Sequence, residues 1–162
     1  MAAQPSPRVE IYEHDFDVST ELRALRTLAS GAPDTRVGAV ASFVGTVRDL
    51  NQGDAVQMLT LEHYPGMTEK SIEDILDQAA DRWPLFGLKV IHRVGPLQPS
   101  DQIVFVGVTS AHREAALAAC AFVMDYLKTL APFWKKEALP GQTSRWVDAR
   151  ETDQQAAERW KS

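Results

Sequence analysis

Three lysines crowd the end of an apolar run: Lys128, Lys135 and Lys136 lie within MDYLKTLAPFWKKE, residues 124–137. Ammonium groups that share a pocket repel one another and lose solvent, and both effects lower their pKa values. A lysine placed in this way can act as general acid or base, or as nucleophile, near neutral pH. Arg48 follows a run of small and β-branched residues and opens a polar loop, where sites tend to accumulate. His112 and Arg113 fall at the start of a predicted helix, where the dipole is positive and acidic residues are preferred. Two readings stand for that pair. Either both point to solvent at a small cost, or free N–H groups, imidazole and guanidinium form an anion site. Lys128, Lys135, Arg48, His112 and Arg113 together describe an anion-handling pocket, and these residues leave its reaction open.

Other chemistries find little footing. His14, His63, His92 and His112 stand singly, with no HxxxH spacing and no cysteine partner, so no metal site is expected. His63 and His92 lie in strand-like runs and read as structural, as does Glu62, which has no second carboxylate beside it. No P-loop, G-x-S-x-G or G-x-G-x-x-G motif occurs. Cys120, the single cysteine, sits among alanines and Phe122 and reads as a small buried hydrophobe. It allows no internal disulfide and fits a reducing compartment, so the cytoplasm is expected. A net charge of −5 argues against nucleic-acid binding. No apolar stretch approaches the roughly 20 residues that cross a membrane.

The elements that must position these groups follow from periodicity. At 162 residues the chain fits one domain, 1–162, with residues 1–8 as a frayed tail. Val9–Tyr12 reads as a strand, and Ser19 and Thr20 as caps of a helix that runs through Leu22, Leu25 and Leu28 to Gly31. Residues 36–47 suggest a buried strand, residues 48–55 a polar loop, and residues 56–64 a second strand. Ile72, Ile75, Leu76 and Ala79 recur at helical spacing within a predicted helix over 68–82. Residues 88–95 and 102–110 read as strands joined by a turn at 96–101. Ser110 would cap a long helix over 111–130, apolar on nearly every side, which Pro132 stops. FWKKEA and RWVDA read as short strands, and a helix over 151–160 ends the chain. The expected fold class is α+β: a two-layer α/β sandwich with a mixed, largely antiparallel sheet and a long buried helix.

That helix sets a geometric problem. His112 and Lys128 are sixteen positions apart, which separates their backbones by roughly 24 Å at about 1.5 Å per residue. Side chains cannot close that gap onto one small ligand. Either His112 and Arg113 serve something else, or they reach the Lys128 pocket from a second copy of the chain across a two-fold axis.

Several long motifs carry a resemblance. TLEHYPGMTEK, DRWPL, VIHRVG, DQIVFVGVTSAHR, MDYLKTLAPFWKKE and DARETDQQAAERW, in this order, closely resemble the large, catalytic subunit of molybdopterin synthase, over residues 37–160. The resemblance implies a sulfurtransferase of molybdenum cofactor biosynthesis that converts cyclic pyranopterin monophosphate to molybdopterin. The dithiolene sulfurs would come from the C-terminal Gly-Gly thiocarboxylate of a small ubiquitin-like sulfur-carrier subunit. Two large subunits would form a central homodimer with a small subunit at each end, a heterotetramer without metal or resident cofactor. Carried over by motif, Lys128 and Lys135 would be catalytic. Thr46, Val47, Arg48, His112, Arg113, Lys136 and Glu137 would join them in binding substrate, with Phe43, Met124 and Arg150 in the pocket wall. The alternative is a non-catalytic dimeric scaffold that binds a ubiquitin-like tail.

Overall fold

The structure, a computed structural model, describes residues 7–51, 53–131, 133–141, 144–147 and 151–161. In chain order the elements are β1 (Val9–Tyr12), α1 (Val18–Leu25), β2 (Ala39–Thr46), β3 (Leu50–Asn51), β4 (Asp54–Ala55), β5 (Met58–His63) and α2 (Met67–Arg82). They continue with β6 (Leu85–Arg93), β7 (Gly95–Leu97), β8 (Gln102–Ser110), α3 (Arg113–Leu130), β9 (Phe133–Ala138), β10 (Ser144–Val147) and α4 (Glu151–Glu158).

Two four-stranded sheets take all the strands of the described residues except β3 and β4, which pair with each other. The first has the order β1-β6-β8-β2, with β1 parallel to β6 and the other pairs antiparallel. Its central strands, β6 and β8, are the least interrupted apolar runs of the chain, as burial on both faces requires. On one face Val90, Val106 and Val108 meet Ile72, Ile75 and Leu76 of α2 and Ala119, Phe122 and Val123 of α3. On the other face Ile91 and Phe105 pack with Phe16 and with Leu22 and Leu25 of α1. Each such side chain contributes about 1.5–3 kcal/mol on leaving water. The expected α/β layering holds, and α1 adds a short cover to the far face.

The second sheet, β10-β9-β5-β7, is antiparallel throughout. Leu59, Leu61, Val94 and Leu97 form its small core with Val47, and Phe133 packs against them. β7 occupies residues expected to be part of a turn. The chain leaves the first sheet at Val94 and turns through Gly95, at φ 84°, a left-handed backbone that glycine adopts without a Cβ penalty. Residues 95–97 then pair with β5 in the other sheet. The polar loop after Arg48 also gains structure, a small β3–β4 hairpin.

Three expectations about element ends need correction. Asp17, not Ser19 or Thr20, caps α1: its carboxylate accepts from the Thr20 N–H at 3.0 Å, and the helix stops at Leu25. Ser110 is the last residue of β8, where its hydroxyl donates to the Pro84 carbonyl at 2.8 Å. His112 therefore becomes the α3 cap and Arg113 its first residue. The buried strand expected over residues 36–47 is a shorter and largely exposed one. β2 is the last strand of its sheet, with Val40 and Phe43 exposed.

Pro7 and Arg8, expected in a frayed tail, are fastened to the body. Lys89 donates to the Pro7 carbonyl at 2.6 Å, and Arg8 pairs with Glu73 and Asp77 of α2. α3 is buried along Ala116, Ala119, Cys120, Val123 and Leu127 and again at Phe122, while Leu117 and Leu130 are exposed. Burial pushes the Cys120 thiol up to about 11, consistent with an inert packing residue.

Candidate active site

Three element ends converge on one cleft. The last two turns of α3 bring Met124 and Lys128, the second half of β2 and the residues after it bring Phe43, Thr46, Val47 and Arg48, and β9 brings Phe133 and Lys135. The cleft has a volume of about 430 Å³, within the range of small-molecule sites.

Each group is placed by ordinary local physics. Lys128 sits one turn beyond Met124 in the last turn of α3, where the negative end of the helix dipole favours a cation. It is exposed, at the rim where the buried stripe of the helix ends. The β2–β8 register slips between Gly45 and Thr46, and Val47 is then anchored by its buried side chain and by its N–H to the Asp101 carbonyl at 2.9 Å. That anchor leaves Arg48 exposed beside the cleft.

Strand alternation sorts the second lysine motif. In β9, Phe133, Lys135 and Glu137 face the cleft side, while Trp134 and Lys136 face out. Lys136 lies over the Trp146 ring at 5.7 Å and does not line the cleft. Glu137 is buried, with its carboxylate paired to Arg145 at 3.0 Å and accepting from the Asn51 side chain. It therefore ties β9 to β10 and to the β3–β4 hairpin from the cleft wall.

His112 and Arg113 lie outside this cleft, exposed at the other end of α3. Arg150, expected in the pocket wall, lies outside the described residues. Among the described residues, no group of three His, Cys, Asp or Glu could hold a metal ion. No helix among them is long and apolar enough to cross a membrane.

The cleft also holds a residue that read as structural. His92, near the end of β6, is buried, lines the cleft and stacks on Phe133 with ring centroids 3.8 Å apart at 19°. Burial first, then the Lys135 and Lys128 charges, push its pKa down to about 4. The imidazole is thus neutral beside two lysines. Asn51, Val147 and Asp153 also contribute to the lining. No sequence signal marks them, since the fold of β10, α4 and the hairpin brings them there. His63, beside Phe133, keeps a structural place, its Nδ1 3.3 Å from the Thr68 hydroxyl.

This arrangement can hold an anion against Lys128, Lys135 and Arg48 between apolar walls. Removing water from such a site strengthens each charge interaction, and a fixed ammonium or guanidinium can stabilise negative charge that develops during acyl or phosphate chemistry.

Comparison with known proteins gives the family. The family model described as MoaE protein matches residues 11–130. A molybdopterin synthase catalytic subunit from Vibrio cholerae is 58% identical over 153 residues, covering 94% of this chain and 97% of that protein. The one from Escherichia coli K12 is 64% identical over 123 residues, covering 76% of this chain and 81% of that protein. Among solved structures, the molybdopterin biosynthesis MoaE protein from Burkholderia ambifaria superposes with a TM-score of 0.78 at 51% identity, covering 100% of this chain and 99% of that one. The chain belongs to the MoaE family, the catalytic subunits of molybdopterin synthase, enzymes of molybdenum cofactor biosynthesis.

Proposed function

We propose that the cleft at the end of α3 binds cyclic pyranopterin monophosphate and builds the dithiolene of molybdopterin there. The sulfur comes from the C-terminal thiocarboxylate of a small ubiquitin-like carrier subunit. The observation that carries this reading is the gathering of Lys128, Lys135 and Arg48 in one apolar-walled cleft, on a chain of net charge −5. Substrate phosphate and carrier thiocarboxylate are both anions, and this is where the chain concentrates cations for them. The relatives' designation as catalytic subunits supports a companion subunit for this chain also.

Lys128 is the acid–base or electrostatic group at the reacting centre, and Lys135 holds the carrier tail or the intermediate. Loss of sulfur from an acyl thiocarboxylate leaves an acyl group that water must take up to give a carboxylate. A lysine at the rim, partly dried by Phe43, Met124 and Phe133, suits that proton traffic. Thr46, Val47 and Arg48 bind substrate from the β2 end, and Glu137 orders the wall behind Lys135. Lys136 faces the opposite side of β9, so its role in substrate binding requires a partner on that face.

His112 and Arg113 complete the site from a second copy of the chain. Among the described residues, β2 is an edge strand of its sheet. Its first residue, Ala39, pairs with Ser110, next to the α3 cap, and its last, Thr46, lies in the cleft. At about 3.4 Å per residue, eight residues of strand span roughly 24 Å, which matches the distance along α3 from His112 to Lys128. Antiparallel pairing of β2 with its own copy would lay the start of one strand beside the end of the other. Each cleft then receives His112 and Arg113 of the partner subunit, in two equivalent composite sites. The chain works as one domain over its 162 residues, as the central homodimer of a heterotetramer in the cytoplasm.

Mixing the purified protein with a thiocarboxylated carrier and the cyclic pterin tests the reading. A dithiolene product is expected. Carrier binding without product would instead mark a non-catalytic scaffold.

A further inference from the structure

The imidazole of His92 is held from several sides. Its backbone lies in β6 between Ile11 of β1 and Val104 of β8, and its ring stacks on Phe133. Nδ1 is 2.9 Å from the Arg93 carbonyl. A carbonyl can only accept, so Nδ1 carries the hydrogen and, in the neutral ring, Nε2 carries a lone pair. Nε2 has no hydrogen-bond partner among the described residues, and the ring lines the cleft that contains Lys128 and Lys135. The ring thus brings a fixed, uncharged acceptor to the lining of a site that also holds Lys128, Lys135 and Arg48.

Cationic side chains only donate hydrogen bonds, which suits phosphate and thiocarboxylate oxygens. A pterin also carries N–H donors on its pyrimidine ring, and a buried donor without an acceptor costs about 1–3 kcal/mol. Two carboxylates line the cleft. Glu137 is already engaged by Arg145 and Asn51, and Asp153 would repel a phosphate held nearby. A neutral nitrogen meets an N–H without that repulsion. We propose that His92 is a further substrate-binding residue, whose Nε2 accepts a hydrogen bond from an N–H of the pterin ring and so fixes which edge of the heterocycle faces the lysines. This rests on the synthase reading above and adds a specificity element to it.

Nitrogen NMR on the full-length protein, labelled at histidine with ¹⁵N, reports Nε2 directly. At pH 7 the free protein is expected to show an unprotonated Nε2 whose resonance moves upfield on titration with cyclic pyranopterin monophosphate. Two variants extend the test. His92→Phe keeps a ring to stack on Phe133 but has no acceptor, and His92→Gln returns an oxygen near the Nε2 position. In the carrier-dependent assay, His92→Phe should raise KM for the pterin about tenfold, the usual scale for one hydrogen bond. Its kcat and carrier affinity should stay within about twofold, and His92→Gln should recover most of the KM. An unmoved Nε2 resonance at saturating pterin, or an unchanged KM in folded His92→Phe, overturns the proposal. If the wild-type protein makes no dithiolene product, the synthase reading fails, and the Nε2 titration still decides whether the pterin reaches His92.

Discussion

Lys128 and His92 show how the same cleft produces opposite demands on charge. Lys128 reaches the rim from the last turn of α3, and the proposed function gives it the proton transfer at the reacting centre. Lys128→Ala is expected to reduce turnover by about 10²–10⁴-fold, the range for a general acid or base, with melting temperature and carrier binding retained. Lys128→Arg should rescue poorly, because a guanidinium holds its proton at any working pH. Near-normal turnover in either variant would remove Lys128 from its assigned role. His92 is kept neutral by burial and by the lysines beside it, with its pKa down at about 4 against an ordinary value near 6.5. The sign of the stability effect follows. As pH falls below about 6.5 the unfolded chain takes up this proton first, so folding stability declines between about pH 6.5 and 4 and is fully present above that window. The contribution is about 3 kcal/mol. Urea unfolding of the wild type and of His92→Phe at several pH values measures it, and equal pH slopes in the two proteins would deny it.

At the scale of elements, the cleft depends on how α3 and β2 are hung on the first sheet. Gly38 donates to the Ser110 carbonyl at 3.0 Å, and a Cβ there would fall 2.1 Å from the Ala111 backbone oxygen. No side-chain rotation can relieve a clash with backbone. Gly38→Ala is therefore expected to destabilise the fold by about 1–3 kcal/mol, as overpacking does, read by chemical denaturation, and to displace the start of α3 together with His112. Unaltered stability would mean that this approach is not tight. What was legible in the sequence follows the same division. β6, β8, α2 and α3 announce themselves because burial imposes an apolar period, and the lysines at the end of α3 stand out against an acidic chain. The exposure of β2 was hidden because an apolar strand at a sheet edge has the same composition as one in the middle. β7 was hidden because its three residues carry turn chemistry and pair only through the second sheet. The place of His92 in the cleft was hidden for a related reason: a histidine in a buried strand looks the same whether its ring meets protein alone or also a cavity.

For the whole molecule, the decisive fact is that one chain cannot bring all its candidate groups together. Lys128, Lys135 and Arg48 share a cleft, while His112 and Arg113 sit exposed at the far end of an eighteen-residue helix. The edge strand β2 connects those two places and is the route to the proposed two-fold assembly, in which each cleft would borrow what it lacks. The most direct measurement is the dithiolene yield of mixed dimers, made by combining a Lys128→Ala chain with an Arg113→Ala chain in the presence of thiocarboxylated carrier and cyclic pterin. Each parent homodimer should be nearly inactive. The mixed dimer should recover about half the wild-type yield, because one of its two clefts keeps both groups. Mixed dimers verified by mass that stay as inactive as their parents, although both variants fold and dimerise, would contradict the shared site.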